Sequence, residues 1–412
     1  MALNYIWAAF FVVAFVVALL KLIFLGDTEI FKLMVEGMFD SAKVAVMDIA
    51  LPLAGVMTFF LGILNIGEKA GAINFMARII GPFFNKLFPE VPKNHPANGQ
   101  MIMNFSANML GLDNAATPFG LKAMQSLQEL NPSKDTASNA QIMFLVLHTS
   151  GLTIIPLSIM AQRAILGAKD PSDIFIPCLI GTYVTTLVSI LIVGSYQRIN
   201  LWNRTVIGWL GGITFGIALL LWYLSGLSKE GLETFSKITG SLILMSIIVS
   251  FLVGGLVRKV NIFDTFIEGA KVGFETSVKI MPYLIGMLVA ISAFRNAGAM
   301  SYLIDGFKWV VGLMGVNTDF TEALPVALMR PLSGSGARAL MIDSMKQFGP
   351  DSFIGRLVCI FQGSTDTTFY IVALYFGSVG IKNTRYAIVA GLIADFVGVI
   401  AGILLGYLFF YE

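Results

Sequence analysis

Apolar runs close to the ~20 residues needed to cross a bilayer recur along the whole chain. The clearest lie at about 5–25, 173–196, 205–225, 239–257 and 385–409. Of the 412 residues, 56% are apolar and only 13% are charged, which leaves little room for a separate soluble domain. Backbone polar groups at membrane depth must be satisfied internally, so the runs are read as helices. The expected fold class is an all-α polytopic membrane protein. The first run is too long for a signal-peptide core and lacks a basic n-region and an Ala-x-Ala site, so it is read as a retained helix. The net charge of +2 gives no reason to expect nucleic acid. The cysteines, Cys178 and Cys359, both lie in apolar stretches and read as two buried, unpaired thiols.

The chain echoes itself. An amphipathic stretch at about 27–46 leads into Leu51-Pro52-Leu53, and a similar one at about 260–280 leads into Met281-Pro282-Tyr283. Glu36-Gly37 matches Glu268-Gly269, and Ala70-Gly71-Ala72 matches Ala297-Gly298-Ala299. Each half then carries a small-polar segment, a polar cluster and a final apolar run. Chance similarity is common in apolar sequence, but the shared order of features favours duplication. The expected organisation is a first repeat at 1–200, a linker pair of spanning helices at 201–260 and a second repeat at 261–412. Basic residues mark cytoplasmic loops, which places Arg198 with Arg204, Arg258 with Lys259, and Lys382 with Arg385 inside, and the loop at 226–237 outside. The pair at about 47–66 and 72–90 is either two spans or one re-entrant hairpin. The hairpin gives three crossings per half and an inverted repeat, a common transporter plan with its site near the midplane. Two spans would make the repeats parallel. The hairpin is favoured because it puts all three basic loops on one side.

Polar groups at membrane depth are expensive and usually line a solute path. The segment 104–117 holds Asn104, Ser106, Asn108, Asp113, Asn114 and Thr117, with Gly111 in the middle, and reads as a broken helix whose second half starts at Pro118. The bland alternative is a helix interface glued by small and amide residues. In the second half, Ser333-Gly-Ser335-Gly sits between Arg330 and Arg338. Backbone N–H groups in such a turn can form an anion-binding nest, and Arg supplies a fork for carboxylate or phosphate. The competing reading pairs Arg338 with Asp113 or Asp366, or lets either Arg reach the interface. His148, followed by Thr149, Ser150 and Thr153, is either a structural donor or a ligand and proton-relay group. Its positional counterpart, Gln362, precedes Ser364, Thr365, Asp366, Thr367 and Thr368, the densest polar patch in the apolar sequence. Hydroxyls with a carboxylate suit solute hydroxyls or a Na⁺ ion near Asp366 and Thr367. Asp395 stands alone in the last span, and His95 reads as a loop residue. No zinc spacing, nucleophile elbow or nucleotide loop is present, so neither an enzyme nor a cofactor is expected.

These motifs carry a resemblance. Asn104-Phe-Ser-Ala-Asn-Met-Leu-Gly-Leu-Asp-Asn-Ala-Ala-Thr-Pro-Phe-Gly-Leu-Lys-Ala-Met124, with Asp135-Thr-Ala-Ser-Asn139, resembles the spore maturation protein A family. Arg330-Pro-Leu-Ser-Gly-Ser-Gly336, Gly349-Pro-Asp-Ser-Phe-Ile-Gly-Arg356, Gln362-Gly-Ser-Thr-Asp-Thr-Thr-Phe-Tyr370 and Tyr375-Phe-Gly-Ser-Val-Gly-Ile381 resemble the spore maturation protein B family. Together they look like a fusion of the two, within a nucleoside-recognition or Gate superfamily that includes concentrative nucleoside transporters and the membrane part of ferrous-iron transporters. The resemblance implies re-entrant hairpins and broken helices in an inner-membrane protein. It does not imply nucleoside as substrate, because the Gln-Thr-Glu type hairpin tip of nucleoside carriers is missing. Three functions remain open: secondary transport of a small polar or anionic solute, with or without coupling to Na⁺ or H⁺, an ion or metal pathway, and a non-transporting scaffold for envelope or spore assembly. A homo-oligomer is compatible with each.

Overall fold

The computed structural model describes residues 2–411 apart from 111–112, 155, 228 and 314. Side chains at 2–4, 6, 113–115, 225, 280 and several positions between 229 and 240 are also outside the description. The expectations placed on the side chains of Asp113 and Asn114 therefore lie outside the described residues. Among the described residues there is no strand, and seven helical stretches are long and apolar enough to cross a membrane. This is an integral, all-helical membrane protein.

The first half runs through α1 (Ala2–Leu25), α2 (Ile30–Val44), a π-turn at Ala45–Ala50, α3 (Leu51–Lys69) and α4 (Ala72–Leu87). It continues with α5 (Pro96–Met109), α6 (Asp113–Leu130), α7 (Asn139–Ser150), α8 (Leu157–Ile165) and α9 (Phe175–Tyr196). Two helices follow, α10 (Arg204–Ser225) and α11 (Lys229–Val257). The second half has α12 (Ile262–Asn296), α13 (Ala299–Leu313), a 3₁₀ turn at Asp319–Ala323, α14 (Leu324–Met329), α15 (Gly334–Phe348), α16 (Phe353–Ser364), α17 (Thr368–Ser378) and α18 (Ala387–Phe410).

The amphipathic stretches are not separate from the spans they precede. Residues 30–69 form one continuous helical stretch of 40 residues, about 60 Å long at ~1.5 Å per residue, roughly twice a ~30 Å bilayer core. Its charged first turns therefore project beyond the apolar part. The π-turn falls just before Pro52, whose ring and missing N–H would otherwise break the regular ladder. Two expectations shift. The 226–237 loop shrinks to 226–228, because α11 already starts at Lys229. The second half-helix of the 104–117 segment starts at Asp113, with Pro118 inside it. An acidic residue suits a helix N-terminus, so Asp113 is the better start signal.

The halves pack against each other with α2–α3 antiparallel to α12. Near one end of the α2–α3 helix, a Cβ built on Gly37 would meet Asn296 of α12. Near the other end, Asn65 donates to the Thr265 carbonyl (2.7 Å) and Lys69 pairs with Glu268. Between them Gly273 lets the backbones touch, since a Cβ there would lie 2.5 Å from the Met57 carbonyl oxygen. The last helices are antiparallel too. The start of α9 neighbours the start of α16, where Arg356 donates to Asp173 (2.7 Å), while its end stacks Tyr196 on Tyr386 just before α18. The end of α18 returns to the start of α16, with Tyr407 and Tyr411 against Phe353.

Candidate functional site

Four helix interruptions converge. α5 stops at Met109 and α6 begins at Asp113; α7 stops at Gly151, whose φ of 58° is left-handed, and α8 begins after Pro156. α14 stops at Arg330 and α15 begins after Ser333; α16 stops at Thr365 and α17 begins at Thr368. The breaks are stitched together, twice within a half and once across the halves. Ile154 N–H donates to the Met109 carbonyl (2.8 Å), Phe369 N–H to the Pro331 carbonyl (3.0 Å) and Asp366 N–H to the Thr149 carbonyl (2.8 Å). Around these breaks lies a cavity of about 790 Å³.

The structure brings Asn108, His148 and Thr153 from the first half to this cavity. From the second half it brings Arg330, Ser333, Ser335, Arg338, Gln362, Thr365, Asp366 and Thr367. His148 is buried. Its Nδ1 lies 3.0 Å from Asn104 Oδ1, which would accept from a protonated Nδ1, and 2.8 Å from the Asn108 amide nitrogen, which would donate to a bare one, so the tautomer decides which amide it bonds. Its Nε2 then faces Asp366 Oδ2 at 3.9 Å. Arg330 holds the second half's break, donating through Nε (2.9 Å) and Nη2 to the Thr365 carbonyl that α16 leaves unused. Its Nη2 is 3.8 Å from Asp366 Oδ1. That oxygen accepts from Thr367 N–H (2.7 Å). Asp366 is 40% exposed and stands between a histidine and an arginine, hydrogen-bonded to neither. Ser333 caps α15, its Oγ accepting from Gly336 N–H (3.0 Å).

Other sequence candidates sit beside the cavity. Asn104 donates to the Ala116 carbonyl (2.7 Å) and faces Tyr375 Oη (3.3 Å), holding His148 from behind. The hydroxyls of Ser106, Thr149, Ser150 and Ser364 donate to carbonyls of their own helices. Thr117 is half-buried and does not line the cavity. Thr368 donates to Asp395 (2.7 Å), which lies behind Arg330 and Thr365 across a gap of about 10 Å³. His95 is the N-cap of α5 rather than a plain loop residue. Cys178 and Cys359 are free and buried, with Cys178 Sγ 3.8 Å from the Cys359 carbonyl.

Sequence reasoning missed a second polar centre. Arg163, fully buried at the end of α8, pairs with Asp173 (2.9 Å) and Asp351 (3.2 Å), and Arg356 shares Asp173. The network ties the loop before α9 to the loop before α16. The loop before α7 is tied to the loop before α18 by backbone bonds, Lys382 N–H to the Asp135 carbonyl (2.8 Å) and Ala137 N–H to the Asn383 carbonyl (2.9 Å).

The chain is an all-helical membrane protein whose interrupted helices surround a cavity with polar and apolar walls. The chain belongs to the nucleoside-recognition (Gate) family, whose profile matches residues 50–166 and 277–382, together just over half of the chain. Both matched stretches contain the interrupted helices. Spore maturation protein B of Bacillus subtilis (strain 168) is 45% identical over 164 residues, which are 40% of this chain and 90% of that protein. Spore maturation protein A of the same organism is 40% identical over 157 residues, 38% of this chain and 80% of that protein. Each accounts for part of the chain, consistent with a fusion. No solved structure matches.

Proposed function

We propose that this protein is a secondary transporter of a small polar or anionic solute in the cytoplasmic (inner) membrane, built as an inverted duplication of 1–200 and 261–412 around the 201–260 helix pair. The observation that carries the reading is the cavity itself. Breaks from both halves meet there, and Asp366 stands within 4 Å of His148 and Arg330 without a direct hydrogen bond to either. Unwound backbone and half-helix ends at a repeat interface are how membrane transporters bind solute. A carboxylate beside a histidine also suits coupling to H⁺ or Na⁺. Antiparallel packing of α2–α3 with α12 and of α9 with α18 supports the inverted duplication. The two loop contacts support it as well, because exchanging the halves turns the α7-to-α18 contact into the α16-to-α9 contact.

The test is uptake from a metabolite extract by proteoliposomes, read by mass spectrometry. At least one polar solute should accumulate above protein-free vesicles. Vesicles with Asp366→Asn, which keeps the shape and removes the charge, should lose that accumulation. If wild-type vesicles accumulate nothing beyond the protein-free control, the transport reading fails.

A further inference from the structure

The cavity has two chemically opposite edges, and on the reading that it holds the solute they define what kind of solute fits. One edge offers acceptor oxygens. Gln362 is 4% exposed, lines the cavity, and its Oε1 has no hydrogen-bond partner among the described residues. Buried side-chain oxygens are rarely left so. Four residues on, in the break after α16, the Asp366 carboxylate lies beyond hydrogen-bonding reach of both its cationic neighbours. The other edge offers donors. At the start of α15, Ser333 takes the N–H groups of Gly336 and Ala337 through its side chain and carbonyl. The N–H groups of Gly334 and Ser335 have no acceptor among the described residues, and both residues line the cavity. Arg338, one turn further along the helix, lines it too. Helix N-termini with an Arg nearby bind carboxylates. The two edges adjoin: a Cβ built on Gly334 would lie 2.7 Å from Thr367 Oγ1, next to Asp366. A pure anion would satisfy α15 but leave Gln362 Oε1 without a donor and the Asp366 carboxylate with only the Thr367 N–H. A pure cation would do the reverse. Part of the remaining wall, away from Asn108, His148 and Thr153, is apolar and aromatic, with Phe60, Tyr283 and Tyr370.

We infer that the cavity takes a zwitterion with an apolar body: its ammonium on Gln362 and Asp366, its carboxylate on the α15 N-terminus and Arg338, and its side chain against the aromatic wall.

The experiment is calorimetric titration of the purified full chain in lipid nanodiscs with L-phenylalanine, 3-phenylpropionate and 2-phenylethylamine, which share a body and differ in their charges. L-Phenylalanine should bind about tenfold or more tightly than either fragment, since each lost charged hydrogen bond costs at least that much. Gln362→Leu and Asp366→Asn should each bring L-phenylalanine down to the level of 3-phenylpropionate and leave 3-phenylpropionate itself unchanged. Equal binding of 3-phenylpropionate and L-phenylalanine by the wild type would overturn the inference in favour of a plain anion site. Equal binding of 2-phenylethylamine would overturn it in favour of a cation site. If none of the three binds, the inference fails, while uptake of some other solute by the vesicles leaves transport standing. If L-phenylalanine binds selectively but vesicles accumulate nothing, transport fails and the zwitterion site stands.

Discussion

Asn104 and Asn108 stand one helical turn apart on α5, and both reach Nδ1 of His148, yet their surroundings give them different work. Asn104 is 1% exposed and also bonds Ala116 and Tyr375, so it is part of the packing. Asn108 is half-buried at the cavity wall. Asn104→Ala strands buried polar groups and should cost roughly 1–3 kcal/mol, visible as a clear drop in melting temperature. Asn108→Ala should melt close to wild type and weaken solute-induced stabilisation instead. Reversed effects would exchange the two assignments. The sequence held these residues but not their division of labour, and the hydroxyls show why. A Ser or Thr inside a helix satisfies itself on its own backbone, as Thr149, Ser150 and Ser364 do. One in a break cannot do so in the same way, as at Thr365 and Thr367. Which applies depends on where the helix stops to within a residue, and the patch Ser364–Thr368 does not reveal that by composition.

Helix breaks are held by what they leave unpaired. Arg330 fills the Thr365 carbonyl in one, and backbone bonds from Ile154, Asp366 and Phe369 close the others. At the level of elements, a buried charge network away from the cavity centres on Arg163. Its guanidinium is 0% exposed and anchors α8 to the loops before α9 and α16. Removing one partner of a buried pair costs on the order of 3–5 kcal/mol because the other charge is stranded. Arg163→Met should therefore lower the melting temperature sharply. Arg163→Met combined with Asp351→Asn should recover part of the loss, because Asp173 keeps Arg356 while Asp351 is the carboxylate left without its cation. A double variant that melts below the single one would show that the pair does not carry the anchor. Nothing local pointed to Arg163: its partner Asp351 lies 188 residues along the chain, and only the docking of the two halves brings them together.

For the whole molecule, the membrane class and the five plainest helices were legible, because length and apolarity alone decide them. The continuity of 30–69 was not, since charges in its first turns look like an interfacial helix until its length carries them past the bilayer. The inverted arrangement rested on counting basic loops, and the geometry now makes that count testable. The α16–α17 stretch, 353–378, is long and apolar enough to span, so the loop before it and the loop after it belong to opposite faces. Lys382 follows α17, and its loop is bonded to Asp135, which puts Lys134 on the same face. Lys169 bonds Asp351 in the loop before α16 through its backbone N–H (2.9 Å), which puts it on the other face. All three side chains are exposed, whereas the native thiols are buried. Single Lys134→Cys, Lys169→Cys and Lys382→Cys variants in right-side-out vesicles should therefore separate with a membrane-impermeant maleimide. Cysteine at 169 should label from outside. Cysteines at 134 and 382 should label only after the vesicles are opened, because the basic loop of Lys382 and Arg385 belongs in the cytoplasm. Labelling of 169 and 382 from the same side would rule out the inverted duplication, and with it the convergence of oppositely oriented helix breaks on one cavity.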